Sequence, residues 1–315
     1  MLLEKIVSYS VVIPCYNSGT SLRELVMRLG AVFRQMGQDY EIILVNDASP
    51  NPSTWPLVKS VAEEHDWVKA VNLTRNFGQQ SATLCGMGLA NGNYVITMDD
   101  DLQHQPEDIP LLIAKKNHDI VIAHLKGRKD PLFNQLTSRI KGYFDYLILG
   151  KPKHIRMSSF RLLSRLTVDN ILSITTPKPF IPALMFYVTK DVVNVEVTHQ
   201  PREEGKSNYT FLKRLKLFSL IIINNSSAIL NLMGYFGIFC AFLSFVLIIY
   251  LFIKKWVDVA TPIGWTSTIS AILFFGGMTL FSLGLLGEYL IRLMPAVEKR
   301  PMYLIREIYE SKSTA

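Results

Sequence analysis

The chain has 315 residues, and its 33 lysines and arginines against 26 aspartates and glutamates give a formal net charge of +7. This length fits one sizeable α/β domain plus a further segment, and the absence of a basic run interleaved with aromatic residues argues against nucleic-acid binding. The three cysteines, Cys15, Cys85 and Cys240, are odd in number and lack CxxC spacing, so they predict neither a zinc site nor a disulfide framework.

Short apolar runs alternate with amphipathic segments over the first 125 residues. The apolar runs predict strands at residues 10–13, 41–45, 68–72, 94–98 and 119–123. The amphipathic segments predict helices from a cap at 18–20 to residue 36, and at 56–64, 79–90 and 106–116. This alternation predicts an α/β domain with a parallel sheet covered by helices, whose ligands gather at the C-terminal ends of the strands.

Polar residues, together with Pro14, follow the first four predicted strands, and three consecutive carboxylates follow the fourth strand. The residues concerned are Pro14, Tyr16, Asn17, Asp47, Arg75, Asp99, Asp100, Asp101 and Gln103. Adjacent carboxylates repel one another unless a cation lies among them. Asp99, Asp101 and Gln103 offer the hard oxygen ligands that suit Mg²⁺ or Mn²⁺, with other positions left for diphosphate oxygens. The alternative is a solvated acidic turn, but its position after an apolar strand favours the metal site.

Two common nucleotide-binding motifs are absent from the chain. No GxGxxG follows the first predicted strand, as a dinucleotide site would require. Gly205, Lys206 and Ser207 resemble the end of a P-loop, but Gln200 stands where the first glycine of that motif belongs.

Two long charge-free stretches, at residues 217–253 and 259–287, follow the N-terminal domain. Each is longer than the roughly 20 apolar residues of a membrane-spanning helix, so they predict a transmembrane hairpin with helices at about 232–253 and 263–286. Between the domain and the first span, apolar residues alternate with Lys213, Arg214 and Lys216. This pattern predicts an interfacial helix within residues 209–230, with an ordinary amphipathic core helix as the alternative.

Basic residues near the two stretches predict the orientation of the hairpin. Nine flank it on the outer sides and two, Lys254 and Lys255, lie in its turn; the nine are Lys206, Lys213, Arg214, Lys216, Arg292, Lys299, Arg300, Arg306 and Lys312. Basic residues favour the cytoplasmic side, so both termini are expected there. Residues 1–9 have no apolar core of signal-peptide length, which agrees with a cytoplasmic N-terminal domain.

Four segments in order and spacing resemble the family-2 glycosyltransferases with the Rossmann-like GT-A fold. They are VVIPCYN at 11–17, NDAS at 46–49, RNFG at 75–78 and MDDDLQ at 98–103. Within that family the chain is similar to polyprenyl-phosphate glycosyltransferases, including dolichyl-phosphate mannose synthases and bacterial undecaprenyl-phosphate glucosyl and aminoarabinose transferases. Segments 199–207, 284–289 and 300–303 extend the resemblance, which is weakest over residues 129–198.

The resemblance implies an inverting, metal-dependent enzyme that transfers one sugar from a nucleotide-diphosphate sugar, such as a UDP-sugar, to a polyprenyl phosphate such as undecaprenyl phosphate. It also implies a homo-oligomer, namely a tetramer, in the bacterial inner (cytoplasmic) membrane. The domains would be a catalytic domain at 1–208, the interfacial region at 209–230, the hairpin at 231–290 and a cytoplasmic tail at 291–315.

Two alternatives belong to other functional classes. A processive polysaccharide synthase would carry a Gln-x-x-Arg-Trp motif, but none of the four tryptophans follows an arginine. A non-catalytic membrane scaffold of the same fold is the second alternative, and the intact acidic motif argues against it.

The resemblance also implies roles for individual residues. Asp99 and Asp101, with Gln103, would hold the metal, and these two carboxylates together with Arg202 would carry the catalysis. Nucleotide binding would fall to Pro14, Tyr16, Asn17, Asp47, Arg75 and Asp100. The acceptor phosphate would be bound by Arg128, Arg139, Arg202, Lys206 and Ser207.

A general base remains unassigned in this sequence. Similar enzymes often carry an aspartate shortly before a Phe-Arg-Leu segment, but here Phe160 is preceded by Arg156, Met157, Ser158 and Ser159. A phosphate monoester has a second pKa of about 6, so the acceptor is already an anion near neutral pH. Such a nucleophile needs positioning and charge shielding more than it needs a base.

Overall fold

The computed structural model describes residues 7–125, 152, 154–176, 179–197, 239, 264–297 and 301–311. Contacts between residues divide the chain into two compact units. The first comprises Met1–Asn208 together with Lys299–Ala315, and the second comprises Tyr209–Glu298.

The first unit begins with alternating strands and helices, as the sequence predicts. They are β1 (Tyr9–Cys15), α1 (Ser21–Met36), β2 (Tyr40–Asn46), α2 (Thr54–Glu64), β3 (Val68–Leu73), α3 (Gln79–Leu89), β4 (Tyr94–Thr97), a 3₁₀ turn (Pro106–Asp108), α4 (Ile109–Ile113) and β5 (Ile120–Leu125). The predicted helix at 106–116 is therefore shorter, because its first three residues form the 3₁₀ turn and α4 has only five residues.

The remaining described elements lie beyond the region in which the sequence predicts strands. They are β6 (Arg161–Ser164), α5 (Arg165–Ser173), α6 (Ile181–Val188), β7 (Val192–Val197), α7 (Trp265–Val297) and β8 (Ile305–Glu310). Helix α5 begins at a true cap, since the Ser164 hydroxyl accepts a hydrogen bond from the Thr167 amide at 3.3 Å.

The eight strands form one mixed sheet in the order β7-β5-β6-β4-β1-β2-β3-β8. Strand β1 pairs in parallel with β2 and β4, and β2 pairs in parallel with β3. The five predicted strands, β1 to β5, all run in one direction, as the sequence predicts, but two further strands make the sheet mixed: β6 runs antiparallel to β4 and β5, and β8 runs antiparallel to β3. The parallel part nevertheless brings the C-terminal ends of β1 to β4 to one edge.

Helices cover both faces of this sheet, and the side chains of β1 alternate between the two faces. Val11 and Ile13 pack with apolar residues of α1, α2 and α4, whereas Val12 packs with residues of α3, α5 and α6. All seven residues of β1 are buried, as expected of a central strand covered on both faces.

Strand β8 returns the C-terminal segment to the sheet of the first unit, whereas the sequence prediction treated residues 291–315 only as a tail. Ile308 lies opposite Val71 of β3, and ion pairs join Lys69 to Glu310 at 2.8 Å and Lys59 to Glu307 at 3.2 Å. The chain therefore leaves the first unit after Asn208 and rejoins it from Lys299.

The described part of the second unit consists mainly of α7, a helix of 33 residues that contains most of the predicted second span. Among the residues that the structure describes, no helix is both long enough and apolar enough to cross a membrane. The predicted first span at 232–253 and the interfacial helix at 209–230 lie outside the described residues, apart from Phe239. The membrane hairpin therefore stays a prediction.

Candidate active site

The loops that follow β1, β2 and β4 meet at the C-terminal edge of the parallel strands. Three residues of these loops, Asn17, Ala48 and Leu102, have positive φ values of 57°, 44° and 55°. They are the only non-glycine residues with positive φ in the described ranges. This conformation costs roughly 1–2 kcal/mol for residues such as Ala48 and Leu102, although asparagine adopts it more readily, so tertiary contacts must hold these loops in place.

A chain of hydrogen bonds joins the ends of β2 and β3 to the loops after β1 and β2. The Asn46 side-chain nitrogen, Nδ2, donates to Asn72 Oδ1 at 2.9 Å, and the Ser49 hydroxyl donates to Asn46 Oδ1 at 2.6 Å. The Asn17 backbone amide in turn donates to Ser49 Oγ at 3.0 Å. Tyr16, beside Asn17, keeps half of its surface exposed, whereas Pro14 is buried within β1.

Asp47 braces the loop that follows β3. Its two carboxylate oxygens accept hydrogen bonds from the backbone amides of Phe77 at 2.7 Å and Gly78 at 2.8 Å. Burial raises the pKa of Asp47, and these two amides act in the opposite direction. The Arg75 guanidinium lies 4.4 Å from the Phe77 ring centroid. Each Asp47 oxygen retains a second lone pair, which can accept a hydrogen bond from a ligand. The contact between Asp47 and a nucleotide base stays a prediction.

The carboxylates of the acidic loop, residues 99–101, are held by different neighbours. Asp99 Oδ1 accepts from Gln79 Nε2 at 2.7 Å, and Asp99 Oδ2 accepts from the Ser159 hydroxyl at 2.5 Å. Asp100 Oδ2 accepts from the Ser18 hydroxyl. Burial raises the pKa of Asp100 to about 6; the Ser18 hydrogen bond opposes this shift, and the Asp99 charge adds to it.

Ser18 therefore supports the acidic loop rather than capping α1. The residue in the N-cap position is Thr20, and its side chain makes no capping hydrogen bond. The 18–20 segment precedes α1 as predicted, but the predicted side-chain cap is wrong, because the Ser18 hydroxyl donates to Asp100 instead.

The loop that follows the acidic residues is held by α1 and by the segment before β6. Arg28 binds Glu107 through two hydrogen bonds, at 3.0 and 2.6 Å, and also donates to Gln105. Gln105 Nε2 donates to the Leu102 carbonyl at 2.9 Å, which supports the positive φ of that residue. On the other side, the Ser158 hydroxyl lies 3.0 Å from Nε2 of the buried His104.

The oxygen donors of the acidic loop fit a divalent cation that is shared with a diphosphate. Within the described ranges, no three carboxylate, histidine or cysteine side chains converge to form a complete metal cage. Mg²⁺ bound together with substrate phosphates needs only one or two protein carboxylates, and Mn²⁺ has the same oxygen preference. Each Asp99 oxygen accepts one hydrogen bond and so keeps a lone pair.

Arg161 is a buried cation behind the acidic loop that the sequence prediction did not single out. It is 5% exposed, and its Nη1 donates to the Met185 sulfur at 2.9 Å. Desolvation lowers the pKa of Arg161 to about 10, whereas the Asp99 charge raises it. The predicted acceptor-phosphate residues, Arg128, Arg139, Arg202, Lys206 and Ser207, lie outside the described residues.

The mixed sheet with its acidic loop at the end of β4 defines a transferase of the GT-A architecture. The chain belongs to glycosyl transferase family 2, whose model matches residues 10–172. A second model, the GtrB C-terminal hairpin, matches residues 230–293. The predicted family and the GT-A fold are thereby confirmed.

Curated relatives resemble the chain over nearly its whole length. An undecaprenyl-phosphate 4-deoxy-4-formamido-L-arabinose transferase from Photorhabdus laumondii is 33% identical, with 100% of this chain and 98% of the relative covered. An enzyme of the same name from Proteus mirabilis is 34% identical over 97% of this chain and 95% of its own. These names agree with the predicted class of polyprenyl-phosphate glycosyltransferase.

Solved structures support the fold. The glucosyl-3-phosphoglycerate synthase of Mycobacterium tuberculosis, solved with Mn²⁺, UDP and phosphoglyceric acid, aligns with a TM-score of 0.52. The alignment covers 69% of this chain and 77% of the synthase at 13% identity, so the similarity concerns the fold alone.

Proposed function

We propose that this enzyme transfers a single sugar from a nucleotide-diphosphate sugar to undecaprenyl phosphate, with inversion at the anomeric carbon. The observation that carries the proposal is the acidic loop, in which the Asp99 carboxylate is fixed from two sides at the C-terminal edge of the sheet. The names of full-length relatives support undecaprenyl phosphate as the acceptor and 4-deoxy-4-formamido-L-arabinose as the sugar.

The donor would lie across the loops that end β1 to β4. Tyr16 exposes an aromatic face for a nucleotide base, and Asn17, Asp47 and Arg75 surround the same edge. Asp99 and Asp101, with Gln103, would hold Mg²⁺ or Mn²⁺ against the diphosphate. The metal would neutralise the charge that develops on the leaving diphosphate.

Acceptor binding is assigned to the basic residues that the sequence identified. Arg202, with Arg128, Arg139, Lys206 and Ser207, would bind the lipid phosphate, for which the planar guanidinium fork is well shaped. These contacts would hold a phosphate oxygen in line with the anomeric carbon, so that a single displacement inverts its configuration.

The function is tested by incubating the purified full-length protein with undecaprenyl phosphate, Mn²⁺ and a panel of nucleotide sugars. We expect one glycolipid that carries a single sugar, detected by mass spectrometry of the extracted lipid. A polymer would instead indicate a processive synthase. No product from any donor with properly folded protein would favour the scaffold.

We also propose that the protein lies in the inner membrane as a homo-oligomer, a tetramer by resemblance, with both termini in the cytoplasm. Strand β8 pairs with β3, so the segments on both sides of the hairpin belong to one domain. A chain that leaves a domain and returns to it must cross the membrane an even number of times, which supports a two-helix hairpin.

The topology predicts that the Asp258→Cys variant is labelled by an impermeant thiol reagent in intact cells, whereas the Ser313→Cys variant is not labelled. Both variants are made in a Cys240→Ser background, which removes one native thiol. The other native thiols, Cys15 and Cys85, are buried, and burial raises the pKa of Cys85 to about 12, so they should give little background. Labelling only at position 313 would overturn the orientation.

A further inference from the structure

The Asp99 carboxylate is oriented by donors from two separate parts of the fold. Gln79, the first residue of α3, reaches Oδ1 at 2.7 Å, and Ser159, which precedes β6, reaches Oδ2 at 2.5 Å. One donor on each oxygen restricts rotation of the carboxylate about its Cβ–Cγ bond. The second lone pair of each oxygen stays available to a cation.

Ser159 is itself fixed by the strand that delivers Asp99. The Thr97 hydroxyl donates to the Ser159 carbonyl at 2.7 Å, and Thr97 is the last residue of β4, two positions before Asp99. Antiparallel pairing of β4 with β6 places Thr97 opposite Arg161, which tightens the same connection. Ser159 is thus hydrogen-bonded to Thr97 through its backbone and to Asp99 through its side chain, and these two bonds fix the direction of its hydroxyl.

The neighbouring serine makes a different contact. Ser158 accepts a hydrogen bond from the Phe160 amide at 3.1 Å, and its hydroxyl lies 3.0 Å from His104 Nε2. Neither of these partners of Ser158 is a carboxylate of the acidic loop. The chain therefore offers two adjacent serines, of which only Ser159 is hydrogen-bonded to a carboxylate assigned to the metal.

We propose that Ser159 is a positioning residue that presets the Asp99 carboxylate for a divalent cation. The proposal rests on the proposed metal-assisted glycosyl transfer. A metal ligand that is already oriented loses less side-chain freedom when the cation binds, and partners that hydrogen-bond to ligands commonly contribute 10–100-fold to metal affinity. Ser159 occupies part of the segment in which similar enzymes carry a carboxylate, but here it acts through Asp99 and does not touch the reacting atoms.

The test compares Ser159→Ala with Ser158→Ala and Ser159→Thr in the full-length protein. Mn²⁺ binding is measured by the loss of the free-ion EPR signal, in the presence of saturating UDP. We expect Ser159→Ala to raise the Kd for Mn²⁺ about 10-fold, whereas Ser159→Thr, which keeps a hydroxyl, restores most of the affinity. Ser158→Ala should bind Mn²⁺ as the unsubstituted protein does.

The kinetics of sugar transfer supply a second readout. Ser159→Ala should need a higher Mn²⁺ concentration to reach its half-maximal rate, whereas its kcat at saturating Mn²⁺ should change little. Unchanged Mn²⁺ affinity in Ser159→Ala would overturn the positioning role. Equal losses of affinity in both alanine variants, with lower unfolding midpoints, would also overturn it, because the serines would then be merely structural. If the unsubstituted protein binds no Mn²⁺ and transfers sugar in excess EDTA, the result contradicts the metal dependence in the proposed function.

Discussion

Asp101→Asn is expected to lower the rate of glycosyl transfer about 10³-fold while the protein remains folded. Loss of a metal carboxylate removes several kcal/mol of charge stabilisation in the transition state, and ~4 kcal/mol corresponds to about 10³ in rate. The turn itself should survive. Asp101 Oδ1 accepts a hydrogen bond from the Gln103 backbone amide at 3.2 Å, and the side-chain oxygen of an asparagine can accept the same bond. Removing one of three adjacent negative charges also relieves repulsion on the buried Asp100.

The measurement is the initial rate of glycolipid formation at saturating donor and acceptor, with thermal unfolding as the check on folding. Asp169→Asn is a matched control: Asp169 is an exposed carboxylate on α5 that pairs with Arg165 at 3.0 Å. Surface ion pairs of this kind contribute about 0–1 kcal/mol, so its rate should be unchanged. Full activity of Asp101→Asn, or of the unsubstituted enzyme in excess EDTA, would contradict the metal role.

The first half of the catalytic domain could be predicted from local pattern alone. Strands β1 to β5 are short apolar runs separated by longer helical segments, and the length and composition of each run distinguish the two. Strand β8 could not be predicted in this way, because Ile305 to Glu310 reads IREIYE, without a regular alternation of apolar and charged residues. Its partner β3 also lies more than two hundred residues earlier. The antiparallel β6 is short, and it begins at a charged residue, Arg161, which obscures its apolar pattern.

The same distinction holds for the candidate site. Asp47 and Asp99 to Asp101 could be predicted because parallel strands bring their C-terminal ends to one edge. The residues that support them gave no sequence signal. Ser18 reaches Asp100 across 82 positions, and Ser159 reaches Asp99 across 60, so only the fold brings these hydroxyls to the acidic loop.

Gly92→Ala is expected to destabilise the catalytic domain by ~3 kcal/mol, the upper end of what added bulk costs in a packed core. A Cβ at Gly92 would lie 2.6 Å from the Ser10 backbone nitrogen and 2.8 Å from the Tyr9 carbonyl carbon. Both atoms belong to the fully buried central strand β1, which cannot move aside. The same shift would also disturb the hydrogen bond from the Gly92 amide to Ser10 Oγ, at 2.8 Å.

For a domain of about two hundred residues, this loss should lower the thermal unfolding midpoint by roughly 6–12 °C, measured on the full-length protein in detergent. Gly19→Ala is the matched control, because a Cβ there meets nothing within 4 Å, and surface changes of this kind stay within about 0.5 kcal/mol. A Gly92→Ala midpoint equal to that of Gly19→Ala would mean that β1 and the start of β4 are not packed as closely as described.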